Sequence, residues 1–399
     1  MKQFLLRDNF FSLILVFLVM GAFAFFPFNT HLLDPLKHGL KDFDLMDLVY
    51  GKLKDPDPNE IAKEIIIVNV GSSNRTRAEI AEDLKKIKKL EPKVIGFDVI
   101  FSDEKNAEED SILRSELENT ENIVLGAYLS NPNRNEFSSI DSSGILSPKP
   151  HKIGFTNFVS SDEQSTIRMF APYSQINGVE ISSFSAKVLE ISNPAREKEL
   201  RERRKEVELI DFKYRNENFI VIDPEELRDS SRDFSFIKDK IVLFGFVGSD
   251  KNTKVMEDIF FTPLNAKFSG KSSPDMYGVI IHANIIYMLM DQRYIDKMPQ
   301  WLSILLAVII CYLHIVFFIK YYVEKHIWYH LFAKVVQVIT SILFVYLAIW
   351  ILDDYSYKIN TTPTLAAIVL SVDILYFYDG IVKWMHKKFG YKTYFMHGH

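Results

Sequence analysis

Hydrophobic and polar positions divide this chain into two apolar ends and a polar middle. Four stretches contain almost no charge, residues 10–28, 301–319, 331–352 and 363–379. A helix that spans a bilayer needs about 20 apolar residues at a rise of about 1.5 Å each. We therefore predict four transmembrane helices, one before and three after a region, 29–299, that has no spanning segment.

The charges of the short loops predict the orientation of these helices. Basic residues occur before the first apolar segment, between the second and third, and after the fourth, in the tail 380–399. The loop between the third and fourth segments instead carries Asp353 and Asp354. The positive-inside rule then places both termini (1–9 and 380–399) in the cytoplasm and residues 29–299 outside the cell membrane. A cleaved signal peptide ending near Ala24 is an alternative for the first segment, and it leaves the middle region on the same side.

The middle region alternates between strand-like and helix-like patterns. Short β-branched runs at 64–70, 94–101, 123–128 and 241–246 are apolar throughout, as expected for strands buried on both faces. A capping box at Thr76 and Glu79 opens an amphipathic helix between the first two runs. Further helices are expected near 110–119 and 181–191, and further strands near 209–214 and 219–222. This order predicts an α/β domain with a mostly parallel, Rossmann-like sheet flanked by helices, beside an all-α membrane part.

Composition excludes several classes of function. The single cysteine, Cys311, excludes a disulfide scaffold and a cysteine-based zinc cluster. The net charge of −5 gives no reason to expect a nucleic-acid partner. The sequence contains no H-E-x-x-H or G-x-S-x-G motif. We therefore expect a protein that is not an enzyme and that needs no cofactor.

Five segments, in this order, resemble the type-two CHASE domain, a sensory module that lies outside the membrane in bacterial signalling proteins. They are KVIGFDVIFS (93–102), GFTN (154–157), DKIVLFG (239–245), the stretch 258–263 with FTP, and GVIIHAN (278–284). The resemblance covers roughly residues 30–300 and extends into the three membrane helices that follow. It implies a sensor in the bacterial cytoplasmic membrane, with the α/β domain in the periplasm and coupling to a cyclase or kinase inside the cell.

Two features depart from that family pattern. After the first strand, family members usually carry acidic residues and a turn rich in Trp and Pro, whereas this chain has NVGSSN at 69–74. After the last membrane helix only about 20 residues remain, too few for a kinase or cyclase domain. The chain therefore resembles the sensor half alone, and a shared ligand is not implied.

Small residues and carboxylates follow several of the predicted strands, and the carboxyl ends of parallel strands are where ligands bind in open α/β sheets. We expect a pocket there for a small polar or cationic ligand, or a Mg²⁺ or Ca²⁺ held by Asp98, Asp103 and Asp110. The structural alternative is that Asp98 caps a helix or ties two loops together, and that a helical histidine is a satisfied core group. The candidate ligand-binding residues are Gly71, Ser72, Asp98, Ser102, Asp103, Asp110, Gly245, Gly248, Ser249, His282 and Asn284.

The predicted membrane helices carry three polar side chains at comparable depth, His314, Gln337 and Asp373. An unpaired carboxylate costs at least about 2.5 kcal/mol inside a bilayer. These residues either transmit motion between helices or hold the helices together by static hydrogen bonds.

The sequence leaves two functions open. The first is a membrane sensor subunit that binds a small ligand or an envelope partner and relays the signal to a separate effector protein. The second is a structural or assembly subunit of an envelope complex, with the α/β domain as a protein-binding platform. Homodimerisation is compatible with either function, although no feature of the sequence demonstrates it.

Overall fold

A computed structural model describes most of the chain. The described residues are 2–25, 44–54, 56–71, 75–101, 106–130, 139–142, 152–159, 166–176, 178–248, 258–265, 273–323 and 328–396. Two compact units emerge, an α/β unit of residues His38–Ile295 and a helical unit that combines Met1–Lys37 with Asp296–His399.

The elements are numbered in chain order. The helices are α1 (Lys2–Phe25), α2 (Leu45–Lys52), α3 (Arg77–Lys88), α4 (Ala107–Glu118), α5 (Phe184–Ser192), α6 (Pro194–Glu202), α7 (Pro224–Arg228), α8 (Gly278–Met290), α9 (Gln300–Val323), α10 (Tyr329–Tyr355) and α11 (Thr362–Phe389). The strands are β1 (Ala62–Asn69), β2 (Val94–Phe97), β3 (Ile123–Ser130), β4 (Ser139–Ser142), β5 (Ile153–Phe155), β6 (Met169–Phe170), β7 (Tyr173–Ile176), β8 (Val179–Ser182), β9 (Glu208–Leu209), β10 (Phe219–Ile222), β11 (Ile241–Gly245), β12 (Ile259–Phe260), β13 (Met276–Tyr277), β14 (Asp296–Lys297) and β15 (Tyr357–Lys358).

A seven-stranded sheet forms the centre of the α/β unit. Its order is β10-β1-β11-β2-β3-β4, and β5 also pairs with β3. All pairings are parallel except that of β3 with β4. The predicted fold class, a mostly parallel sheet flanked by helices beside four long apolar helices, is confirmed.

Helices cover the sheet on both faces. On one face, Ile80 and Leu84 of α3 and Leu113 of α4 pack in one buried cluster with alternate residues of the central strands, such as Phe97 and Phe244. The predicted capping box starts α3, since the Thr76 hydroxyl accepts from the Glu79 N–H and the Glu79 carboxylate accepts from the Thr76 N–H. The apolar spacing of the two helices thus decides which side of each helix packs against the sheet.

On the other face, α5 and α8 approach the sheet closely because glycines leave room for them. A Cβ atom at Gly96 would lie 2.8 Å from the Phe184 ring, and one at Gly154 would lie 2.6 Å from the Phe184 Cα atom. A Cβ at Gly245 would overlap the side chain of Val279 at 2.5 Å. These glycines of β2, β5 and β11 therefore bring the helix backbones close to the carboxyl ends of the strands.

Two predicted strands are shorter than expected. The run 94–101 ends as a strand at Phe97, and the Asp98 N–H still donates to the Phe244 carbonyl before the chain leaves the sheet. The run 209–214 contributes only to β9, which pairs with β6 outside the central sheet. The N–H groups of Lys213 and Tyr214 instead donate to a side chain of α8, so they are not available to a neighbouring strand.

Within its described residues, the helical unit contains four helices long and apolar enough to span a membrane, Leu5–Phe23, Gln300–Val323, Tyr329–Tyr355 and Thr362–Phe389. Helices α1, α9 and α11 pack on one another around small side chains, including Ala307, Cys311 and Ala367. Small residues at such positions let helix backbones approach closely, as membrane helix bundles require.

At one end of this bundle, a buried carboxylate joins α1 to α11 and to the segment that follows it. Asp8 of α1 is 0% exposed and accepts hydrogen bonds from the Tyr378 hydroxyl at 3.0 Å, the Thr393 hydroxyl at 2.8 Å and the Tyr394 N–H at 2.7 Å. The ring of Phe395 packs edge-on against Tyr378 at 5.5 Å between centroids. The segment that follows α11 is thus fastened to the first turns of α1.

Candidate functional site

Six residues lie around the end of β2, the middle of β3, the end of β5 and the start of α8. We call this group the carboxyl-end site and define it by Asp98, Gly126, Thr156, Asp258, Gly278 and His282. A Cβ atom at Gly126 would lie 3.4 Å from the Asp98 Cα atom and 3.0 Å from the Thr156 methyl group. A Cβ at Gly278 would lie 3.0 Å from a carboxylate oxygen of Asp258. The two glycines therefore let the groups around them pack closely.

His282 forms the inner wall of the site. It is 3% exposed, its Nδ1 lies 3.0 Å from the Ser185 hydroxyl, and its ring is hydrogen-bonded to the Thr156 backbone. Phe158 stacks on the imidazole at 4.7 Å and meets Phe260 edge-on at 5.4 Å. Burial lowers the pKa of His282 to about 3, so the imidazole is neutral at physiological pH.

The two carboxyl groups of the site, those of Asp98 and Asp258, both have a raised pKa. Asp98 is half-buried, and its burial, with a further contribution from the charge of Asp258, raises its pKa to about 8. Asp258 is more exposed, and desolvation raises its pKa by a smaller amount, to about 6. Near neutral pH, Asp98 therefore keeps its proton and Asp258 carries a negative charge. The neutral Asp98 cannot neutralise that charge.

Four buried aspartates of the α/β unit have an arginine partner. The pairs are Asp47 with Arg168, Asp83 with Arg75, Asp110 with Arg77, and Asp211 with Arg293. In the described part of the chain, neither Asp98 nor Asp258 has a cationic partner. Two desolvated carboxyl groups without a cation attract a positively charged ligand, which would replace the proton on Asp98.

The predicted residues Gly71 and Gly248 belong to a neighbouring loop structure built on Asn69. The Asn69 side chain accepts from the N–H groups of Gly71 and Val247 and donates to the Gly248 carbonyl. Both glycines have a positive φ, 75° at Gly71 and 106° at Gly248, which glycine adopts without strain. They shape the loops that follow β1 and β11.

Three other predicted residues occupy structural positions. Gly245 lies under Val279, as described above, and Asp110 joins α4 to α3 through Arg77. The amide of Asn284 accepts from Lys213 and Tyr214 N–H groups and donates to the Tyr214 carbonyl at 2.9 Å. Of the predicted ligand residues, Asp98 and His282 belong to the carboxyl-end site as defined above.

Ser72, Ser102, Asp103 and Ser249 lie outside the described residues. Among the residues that the structure describes, no group of three or more His, Cys, Asp or Glu side chains forms a metal cluster. Sequence reasoning missed Asp258 as a site residue and used it only as part of the family resemblance at 258–263. A signal was present, since Asp258 precedes the FTP motif and α8, but its proximity to Asp98 depends on contacts distant in sequence.

The three polar residues of the membrane helices each join two helices. The Nε2 atom of His314 lies 3.1 Å from the Thr340 hydroxyl, and the Gln337 amide donates to two carbonyls of α11 at 2.8 Å. Asp373 accepts from Lys334 at 2.7 Å. These contacts link α9 to α10 and α10 to α11.

The comparison with known families agrees with the fold. Residues 17–317 match the CHASE2 domain, which is more than half of the chain. The chain belongs to the CHASE2 domain family. CHASE2 is a sensory domain, and the suspected resemblance is confirmed. No curated protein and no solved structure gives a significant match. The CHASE2 region includes the whole carboxyl-end site, and the four long apolar helices indicate a membrane protein.

Proposed function

We propose that this CHASE2 protein is a membrane sensor that is not an enzyme and whose α/β unit binds a small cation at the carboxyl-end site. The observation that carries the proposal is the pair Asp98 and Asp258, which has no cationic partner among the described residues, whereas four buried aspartates of the unit have an arginine. The neutral His282 and the rings of Phe158 and Phe260 supply an apolar wall, which suits an organic ammonium group as well as a metal ion.

The signal is proposed to reach the helical unit through the chain segments on either side of the α/β unit. A separate effector protein then reads the helical unit at its basic cytoplasmic side, near residues 320–330 or after α11. A ligand shifts such an equilibrium only by its differential affinity for two states. The polar contacts of His314, Gln337 and Asp373 are the bonds that a rearrangement of the helices would exchange.

Isothermal titration of the full chain in detergent micelles tests the proposal. The probes are calcium chloride, magnesium chloride, spermidine and choline chloride, which separate metal ions from organic cations. We expect one class to bind and the variants Asp98→Asn and Asp258→Asn to weaken that binding at least about tenfold, because each removes a charge-assisted contact.

The matched control is Glu121→Gln, which removes an exposed carboxylate in the turn before β3 and should leave the affinity unchanged. Heat of binding that persists in Asp98→Asn, or no binding of any of the four cations to the unaltered chain, would contradict the proposal. The second outcome would favour the assembly-subunit hypothesis.

A further inference from the structure

The β10 strand forms an edge of the central sheet. It pairs with β1 on one side, and no described strand pairs with its other side. Its four residues, Phe219–Ile222, contain no charge, proline or glycine. Charged residues and proline on an edge strand hinder another strand from adding to its unpaired backbone groups. The β10 strand, although short, carries neither.

A groove of about 470 Å³ runs along the same edge. Three consecutive residues of β10, Ile220, Val221 and Ile222, line it, although successive side chains of a strand point to opposite faces. The groove therefore follows the backbone edge itself. Phe234 and Phe236 form the far wall with their ring centroids 6.2 Å apart, and Phe236 is 43% exposed.

The charges around the groove favour a basic occupant. Arg232 is neutralised by Glu226 at 2.7 Å and lies 3.9 Å from Asp229. Among the described residues, Asp233 accepts hydrogen bonds from the N–H and hydroxyl of Ser235 alone, and these bonds lower its pKa, so it is ionised at neutral pH. The rim thus keeps a net negative charge beside an apolar floor.

We propose that the β10 edge is a docking site for an extended segment of another protein, with alternating apolar residues and a flanking lysine or arginine. The segment adds to the sheet as a further strand, so its backbone pairs with β10 while an apolar side chain enters the groove and packs against the wall formed by Phe234 and Phe236. This mode of recognition obtains affinity from main-chain hydrogen bonds and specificity from side-chain pockets.

A second copy of this chain is a poorer occupant of the edge. Stable dimers bury roughly 1,200–2,000 Å², which pairing over four residues cannot provide. The acidic rim of one copy would also face the acidic rim of the other, since a two-fold contact brings the same patch together. Charge and size together favour a separate, basic segment.

Fluorescence anisotropy with the full chain in detergent micelles tests the proposal. The probes are labelled seven-residue peptides with valine, isoleucine or phenylalanine at three alternate positions, threonine between them and lysine at both ends. We expect binding that is abolished when the backbone amides on one edge of the peptide are methylated. Replacing both lysines by glutamate should weaken binding at least about fivefold.

Two variants of the chain localise the binding. Phe236→Ala should weaken it about tenfold, whereas Ile112→Ala, which changes a side chain of similar exposure (44%) on α4, should not. Asp233→Asn should reduce the difference between lysine and glutamate peptides. No peptide binding below about 1 mM, equal binding to Phe236→Ala, insensitivity to methylation, or a concentration-dependent dimer lost in Phe236→Ala would each overturn the proposal.

Discussion

Asp98 and Asp110 show that similar residues of one sequence motif can have different roles. Both follow the second strand and both were candidates for the same metal or ligand site. Asp110 is buried against Arg77, which has a cation–π contact with Phe101 at 5.1 Å, and it holds two helices together. Asp98 has no such partner in the described chain. The local sequence cannot separate the two, because the partner of Asp110 lies 33 residues away.

The raised pKa of Asp98 predicts how the stability of the unit depends on pH. With a pKa of about 8 when folded and about 3.9 when unfolded, the folded chain binds more protons between these values. The stabilising contribution of the protonated group is therefore present below about pH 4 and is lost as the pH rises through 8. Asp98→Asn should make the unit more stable than the unaltered chain at pH 8.5, by on the order of 2 kcal/mol because the residue is only half-buried.

Amide hydrogen exchange of β2 and β11 measures this difference without interference from the helical unit. At pH 4 the two proteins should show nearly equal protection after correction for the intrinsic exchange rate. The Glu121→Gln control should follow the unaltered chain at every pH. Equal stability of Asp98→Asn and the unaltered chain at pH 8.5 would show that the carboxyl is not desolvated.

The same titration should govern the affinity for a cation. Since the cation replaces a proton on Asp98, affinity should rise about tenfold per pH unit from pH 6 and level off above about pH 8. Calorimetry in two buffers with different ionisation enthalpies measures the released proton directly. Binding that is independent of pH over this range would mean that the cation uses other groups.

At the level of elements, most helices and strands follow from local patterns, whereas the order of strands does not. The β-branched runs and the capping box of α3 indicated the correct elements because burial and capping depend on neighbouring residues. The insertion of β11 between β1 and β2 depends on chain segments more than 140 residues apart. Residues 209–214 do not form the predicted strand because the N–H groups of Lys213 and Tyr214 donate to the Asn284 side chain. Only the tertiary fold brings that side chain to them.

Replacing Gly154 should strongly destabilise the contact between β5 and α5. In Gly154→Ala the new methyl group would lie 2.6 Å from the Cα atom and 2.9 Å from the N atom of Phe184, and a backbone cannot move aside as a side chain does. We expect a loss of stability of about 2–3 kcal/mol, measured as faster hydrogen exchange in α5. Gly380→Ala is the control, because a Cβ there meets no atom within 4 Å. Unchanged exchange in α5 would show that this packing is looser than described.

At the scale of the whole molecule, the loop charges predict the side of the membrane on which each region lies. The test uses cells that express the Cys311→Ala variant, which has no other cysteine. When Glu121→Cys is added to it, the new thiol should react with a membrane-impermeant maleimide added outside the cells. A cysteine at Lys387→Cys should react only after lysis, because the positive-inside rule places the end of α11 in the cytoplasm. Both side chains are exposed, so a reversed labelling pattern would reverse the proposed topology.

The buried Asp8 has a consequence for biosynthesis. Its partners Thr393 and Tyr394 lie 385 and 386 positions later in the chain, so α1 leaves the ribosome and enters the bilayer long before they are translated. During that interval the carboxylate has no buried hydrogen bonds, and the bundle can close only after synthesis of the last helix. The helical unit can therefore reach its final packing only after translation has passed residue 394.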